Sequence, residues 1–384
     1  MNTNRSRLFA GASAAMFVFG IVLAILGALF GLPEMRERLG IDLVQQGDIF
    51  LALFFGIFLS TIVVGPMIDS FGNKAVLTTS AALVSIALFL FATSHSFIAA
   101  VLAALLLGFG GGGLNTAANA LVSDIYPENR GAMLNILGTF FGIGALFVPL
   151  LAATITGLFT IPELLLGAAA LAAMCAVLYL VLPFPSAGDA VGFSMLASIK
   201  AIRTPGVLVF GLALICQSGN EAAIGGWTST YVGSLGASPA TATWILSAYW
   251  AALMTGRAVA APLLRMMTKP RLVLAGGIGS IIGVSILLMS HSIALVAIGA
   301  IVVGFSFATI YPTELAIAAD RYQRQAGTIF GLLIAIGLIG GMGFPWIIGH
   351  LSERFSLRTG MIMPLIGAIV ISMIAALQSR KSDA

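Results

Sequence analysis

Residues 46–94 read QGDIFLALFFGIFLSTIVVGPMIDSFGNKAVLTTSAALVSIALFLFATS, two apolar runs at 46–66 and 75–94 joined by a turn that carries Asp69, Asn73 and Lys74. Each run is close to the 20 or so residues that a helix needs to cross a bilayer. Working outward in both directions, the same punctuation divides the chain into twelve runs: 8–31, 46–66, 75–94, 97–123, 131–157, 161–183, 205–231, 239–264, 271–290, 293–318, 327–350 and 358–378. The first follows Arg5 and Arg7 as a signal peptide would, but it is too long for an h-region and has no small-residue cleavage site before further runs, so it reads as a retained helix.

Composition agrees. Of 384 residues 59% are apolar and 8% charged, with a mean hydropathy of +1.08, whereas a soluble domain carries about 25% charged residues. This excludes large soluble domains, a nucleic-acid binder and a secreted disulfide scaffold. The net charge of +4 belongs to loops that set orientation. With the N-terminus inside, Arg5, Arg7, Lys74, Arg130, Lys200, Arg203, Arg265, Lys269, Arg271, Arg321, Arg324, Arg380 and Lys381 face the cytoplasm, and only Arg36, Arg38, Arg354 and Arg358 face outward. Both termini are therefore expected to be cytoplasmic. Cys175 and Cys216 lie inside apolar runs and read as core residues.

The longest polar break, 184–204, splits the runs six and six. A shift of 196 residues then superposes Pro66 on Pro262, Gly108 on Gly304, Asp124 on Asp320, Tyr126 on Tyr322, Gly131 on Gly327, Gly144 on Gly340 and Pro149 on Pro345. The expected fold is an all-α membrane protein of twelve transmembrane helices in two six-helix bundles related by a pseudo-two-fold repeat. The bundles are 1–183 and 205–384, joined by a cytoplasmic linker at 184–204.

Ionisable groups within a span are costly and mark function or pairing. Arg257 and Glu314 stand at similar depth in the same half and are expected to pair, as a structural or gating contact. Glu221 has no evident partner and is the candidate proton carrier. Gln217 and Glu221 are one turn apart, as are Asn115 and Asn119, and paired amides on one helix face suit a ligand with several hydroxyls. Asn220 belongs to the same polar string, while Trp227, Tyr249, Trp250 and Tyr311 offer aromatic platforms for a sugar ring. The Gly108–Gly113 string formally matches a dinucleotide motif but lies in a span, where it reads as close helix packing. His95, His291 and His350 are scattered and make no metal site.

Gly65-Pro66-Met67-Ile68-Asp69-Ser70-Phe71-Gly72-Asn73-Lys74 resembles the loop motif between helices 2 and 3 of the major facilitator superfamily, with Ser70 where the family has a basic residue. Within that superfamily, the strings Gly112–Asn119, Phe140–Ala145, Tyr249-Trp250 with Gly256-Arg257, and Ala308–Thr313 look like the fucose:proton symporters and their glucose-transporting relatives. The resemblance implies that Gly65, Asp69, Gly72 and Lys74 help to latch the two halves on the cytoplasmic side. It implies a monosaccharide or similar polyol as substrate, a proton as coupling ion, no cofactor, no metal, no enzyme activity, and a monomer working in the lipid bilayer of the bacterial inner membrane. Two acids of the fucose group are absent here: Asn115 stands at one position and residues 14–33 hold no ionisable group. That leaves Glu221 as coupling acid. A sugar uniporter and a drug or metabolite exporter remain the alternatives; a sensor or a membrane enzyme would need an output domain or a catalytic cluster that loops this short do not offer.

Overall fold

The computed structural model describes residues 2–154, 158–184, 205–322 and 326–383. The expected linker beyond Phe184, with Lys200 and Arg203, lies outside them, as does Arg324. The chain divides into two compact units, Met1–Phe193 and Ser194–Ala384.

Unit 1 holds α1 (Asn2–Leu29), α2 (Pro33–Leu39), α3 (Leu43–Thr93), α4 (Phe97–Ile125), α5 (Arg130–Thr154) and α6 (Ile161–Val181). Unit 2 holds α7 (Pro205–Ser234), α8 (Pro239–Leu263), α9 (Lys269–Met289), α10 (Ile293–Arg321), α11 (Ala326–Arg354), α12 (Leu357–Gly360) and α13 (Met363–Asp383). The 51-residue α3 is two crossings, broken at Gly72, whose φ of 78° and ψ of 163° are not helical. A positive φ is open to glycine without steric cost, so the chain reverses there without leaving the helix at either side. Among the described residues ten helices are long and apolar enough to cross a membrane, α3 among them. Counting α3 twice and adding the 25-residue α8, whose apolar content Arg257 and its Ser, Thr, Tyr and Trp residues lower, restores twelve crossings.

Helix starts follow local chemistry. Asp42 and Gln45 form a reciprocal capping box on α3, with Gln45 N–H donating to Asp42 Oδ1 at 2.8 Å and Asp42 N–H to Gln45 Oε1 at 3.2 Å. Thr160 and Glu163 do the same for α6. The short α2 falls where the sequence reading placed only an outer loop. Its Arg38 donates to Phe91 O and Ala92 O at 2.8 and 3.2 Å, satisfying carbonyls at the end of α3 that have no helical partner.

The 196-residue repeat is carried into the packing. A Cβ on Gly108 of α4 would collide with Leu53 O of α3, and one on Gly304 of α10 with Tyr249 O of α8; both partners are related by the same shift. A Cβ on Gly110 would lie 2.9 Å from Ser80 O, and in the equivalent pair a Cβ on Gly276 would lie 2.9 Å from Ser306 O. Tyr126 and Tyr322 end α4 and α10 alike, donating N–H to Val122 O and Ala318 O at 3.1 and 3.0 Å. Close backbone contact through small residues is how helices associate without a hydrophobic drive between them. Among the described residues each unit has an exposed ion pair, Arg5 with Glu128 at 2.9 Å and Lys269 with Asp320 at 2.5 Å, of the kind that adds little stability.

Because the obstacle at Gly304 is backbone, Gly304→Ala should lower the stability of the detergent-solubilised protein by about 1–3 kcal/mol, read as a lower thermal midpoint. Gly343→Ala, at a site with no atom within 4 Å of the added Cβ, should leave the midpoint unchanged or raise it slightly. Equal midpoints for the two variants would contradict this packing.

Candidate functional site in the second unit

Several buried hydroxyls within the helices are satisfied by their own backbone. Thr228 donates to Ile224 O and Ser280 to Gly276 O, both at 2.6 Å, and Ser247 to Thr243 O at 2.9 Å. Polar groups that cannot fold back in this way stand out, and several gather where α7, α8 and α10 meet.

Gln217 and Glu221 lie one turn apart on α7. The Gln217 amide nitrogen donates to Glu221 Oε1 at 3.0 Å and to the Phe307 carbonyl of α10 at 3.4 Å, so a single amide orients the acid and ties two helices. Gln217 is fully buried while Glu221 keeps part of its surface open. The charge of Arg257 on α8 acts on Glu221, and the charge of Glu221 in turn reaches the phenols of Tyr249 and Tyr311. Tyr249 is enclosed, edge-on to Trp250 at 5.2 Å and to Phe307 at 6.5 Å between ring centres. Gly225 lets Trp250 approach α7, since a Cβ there would sit 3.0 Å from the indole. Two atoms of this cluster, Gln217 Oε1 and the Tyr249 hydroxyl, are buried with no hydrogen-bond partner among the described residues.

Two expectations are corrected. Glu314 does not pair with Arg257: its carboxylate accepts from the Gln378 amide of α13 at 3.4 Å, and the acid on which Arg257 acts is Glu221. Depth along the axis had matched Arg257 with Glu314, but depth alone does not fix which neighbour a side chain meets. Glu221 is consequently not without a partner. Nor does Asn220 share the Gln217–Glu221 face. With its nitrogen toward acceptors, the Asn220 amide donates to Cys216 O and Pro364 O at 3.2 Å, and it fills the space over Gly367, fastening α7 to α13. Trp227 is enclosed completely six residues beyond Glu221. Residue Gln378, which the sequence reading passed over, was signalled only by being a lone amide in the last apolar run.

In unit 1, Asn115 and Asn119 share a half-buried face of α4 as expected. They are already engaged with each other: Asn119 Nδ2 donates to Asn115 O at 2.8 Å and to Asn115 Oδ1 at 3.0 Å, and lies 3.9 Å from the Met16 sulfur of α1. Of the turn motif, Asp69 and Lys74 are exposed beside the Gly72 break, and Gly65 has open space around it.

Comparison with known proteins agrees with this architecture. The family model described as Major Facilitator Superfamily matches residues 12–345 and again 210–382. Among curated relatives, the vacuolar membrane amino acid uptake transporter fnx2 of Schizosaccharomyces pombe is 38% identical over 82 residues, 21% of this chain and 14% of the relative. The solute carrier family 2 facilitated glucose transporter member 10 of Danio rerio is 28% identical over 130 residues, 34% of this chain and 25% of the relative. The chain thus spans a quarter or less of the length of these two relatives. Among solved structures, a bacterial homolog of the human lysosomal transporter Spinster superposes with a TM-score of 0.84 at 14% identity, covering 99% of this chain and 98% of that one. A D-xylose-proton symporter superposes with a TM-score of 0.79 at 14% identity, covering 96% and 97%. The nucleoside transporter NupG gives 0.79 at 16% identity, covering 96% and 98%. With a family match over most of its length and twelve crossings to house it, the chain is a multi-pass membrane protein that belongs to the major facilitator superfamily.

Proposed function

We propose that this transporter moves a monosaccharide or similar polyol by alternating access between bundles 1–183 and 205–384, with Glu221 carrying a coupling proton and the expected linker at 184–204 joining the bundles. The observation that carries the reading is the pair of unpartnered atoms beside Glu221. Gln217 Oε1 can only accept and the Tyr249 hydroxyl can donate. The hydroxyls of a polyol can answer both, donating to the first and accepting from the second, which a drug-like apolar surface does not. Trp250 beside Tyr249 supplies an aromatic face for the C–H side of a ring. A D-xylose symporter and a nucleoside transporter among the structural neighbours, and a glucose transporter among the relatives, support the same substrate class. Trp227, Tyr311, Asn115 and Asn119 belong to the proposed binding group, Asn220 as a residue that positions α7. Gly65, Asp69, Gly72 and Lys74 are proposed to gate, with Arg257 and Glu314 contributing from unit 2.

One observation favours a second reading. Arg257 acts on Glu221, and a standing charge pair could hold the site together with no proton moving, which would make the protein a uniporter.

Three measurements test these readings. A panel of labelled sugars presented to proteoliposomes, with and without an inward proton gradient, should give uptake of a polyol; resistance to drugs on expression with no sugar uptake would identify an exporter. Gln217→Ala and Tyr249→Phe should each weaken sugar binding by about 1–3 kcal/mol, about 5- to 150-fold, while membrane insertion is intact. Wild-type affinity in both would remove the proposed site. Glu221→Gln should abolish concentrative uptake and retain exchange between equilibrated pools, since Gln keeps the shape of a protonated acid without a proton to release. Concentrative uptake in Glu221→Gln would sink the coupling role, and uptake that is never concentrative in the wild type would identify the uniporter.

A further inference from the structure

Glu314 is fully enclosed in α10, and its only hydrogen bond among the described residues is the one Gln378 Nε2 donates to its Oε2. The second carboxylate oxygen, Glu314 Oε1, and the amide oxygen, Gln378 Oε1, are both buried with no partner. As a carboxylate Glu314 can only accept, and so can an amide oxygen, so two acceptors are left over side by side at the end of a single hydrogen bond. Leaving such groups unmade in an apolar interior costs several kcal/mol.

One proton resolves both defects. Placed on Glu314 Oε1, it turns that atom into a donor, and the acid and amide can close a two-bond ring: Gln378 N–H to Glu314 Oε2, and Glu314 O–H to Gln378 Oε1. The terminal torsions of Glu and Gln are broad and two-fold, so the ring closes by rotation about them. We propose that Glu314 is a proton-binding site, closed by Gln378 as a neutral acid–amide latch that fastens α10 to α13 inside unit 2.

The surrounding charges leave this site to the proton. On α7, Glu221 is held by Gln217, and on α8 Arg257 acts on Glu221. On α9, Lys269 pairs with Asp320 of α10, and Arg271 is exposed. Arg321 of α10 and Arg380 of α13 are exposed. Tyr311 and Tyr322 pack against the apolar cluster of Phe210, Leu214 and Leu333. On α11, His350, Glu353 and Arg354 stand at the end remote from Glu314, because α11 starts where α10 finishes. The latch is separate from the Glu221 cluster and does not depend on which solute is carried.

Infrared difference spectra of the full chain in lipid nanodiscs, taken across a pH titration with no substrate, test it with the proton itself as probe. A carboxylic acid C=O band should be present, vanish in Glu314→Gln, persist in Glu221→Gln, and move to higher frequency in Gln378→Leu as the acid loses its partner. Spectra in which Glu314→Gln removes no carboxylic acid component beyond those of Glu221 and the exposed acids, or in which the component it removes ignores Gln378→Leu, or is absent at every pH at which the protein is folded, overturn the proposal. Glu314→Gln can still form an amide–amide pair, so it should fold. As an independent reading, the thermal midpoint of the wild type should fall as pH rises and the latch loses its proton, whereas Glu314→Gln should flatten that slope; identical slopes overturn the latch.

Discussion

Inside a bilayer no water is at hand to satisfy a polar group, and this one constraint organises the molecule from backbone to site. It makes every crossing a helix, sends serine and threonine hydroxyls back to the carbonyl one turn earlier, and brings Arg38 to the exposed end of α3. Under such a rule an unmade hydrogen bond is conspicuous. Among such exceptions are Gln217, Tyr249, Glu314 and Gln378 in unit 2, alongside others such as Ser13 and Ser60 in unit 1. Of the four named in unit 2, two belong to the proposed solute site and two to the proposed acid–amide latch.

The architecture was legible because the quantity that decides it, apolar length, is written along the chain. Twelve runs and their punctuation are a one-dimensional signal. The Gly72 break and α2 show its limit: a helix may turn a corner at one glycine, and the seven residues PEMRERL carry too few apolar positions to be told from a loop. The site was legible in part. Gln217 and Glu221 were associated correctly because a one-turn spacing within a helix is itself a statement about direction. Arg257 with Glu314 failed because pairs between helices need the rotation of each helix about its axis, and sequence gives only depth. Asn220 stands one residue before Glu221 in the same polar string, and a step of one residue turns a side chain by about 100°, enough to carry it from Glu221's face toward α13.

The two units share a frame but not a chemistry. Gly108 against Leu53 and Gly304 against Tyr249 are the same contact, related by the same shift, yet the partner is a plain aliphatic in one and a phenol beside an acid in the other. Under that shift Gln217, Glu221 and Arg257 fall on Ile21, Ile25 and Thr61, and Tyr311 falls on Asn115. Backbone-to-backbone contacts leave no freedom to vary the glycine, whereas the side chain whose carbonyl it meets can vary. Duplicated packing with divergent lining follows from that difference.

The bond between Asn119 and Asn115 bears on how tightly any solute could be held at α4. An incoming hydroxyl must displace a partner that is already in place, so it exchanges one hydrogen bond for another and gains little net affinity. What the exchange can supply is discrimination, because a solute that displaces Asn115 without replacing its bond leaves a stranded amide behind. A carrier has to let go of its cargo on every cycle, and a contact that selects without gripping keeps the dwell time short.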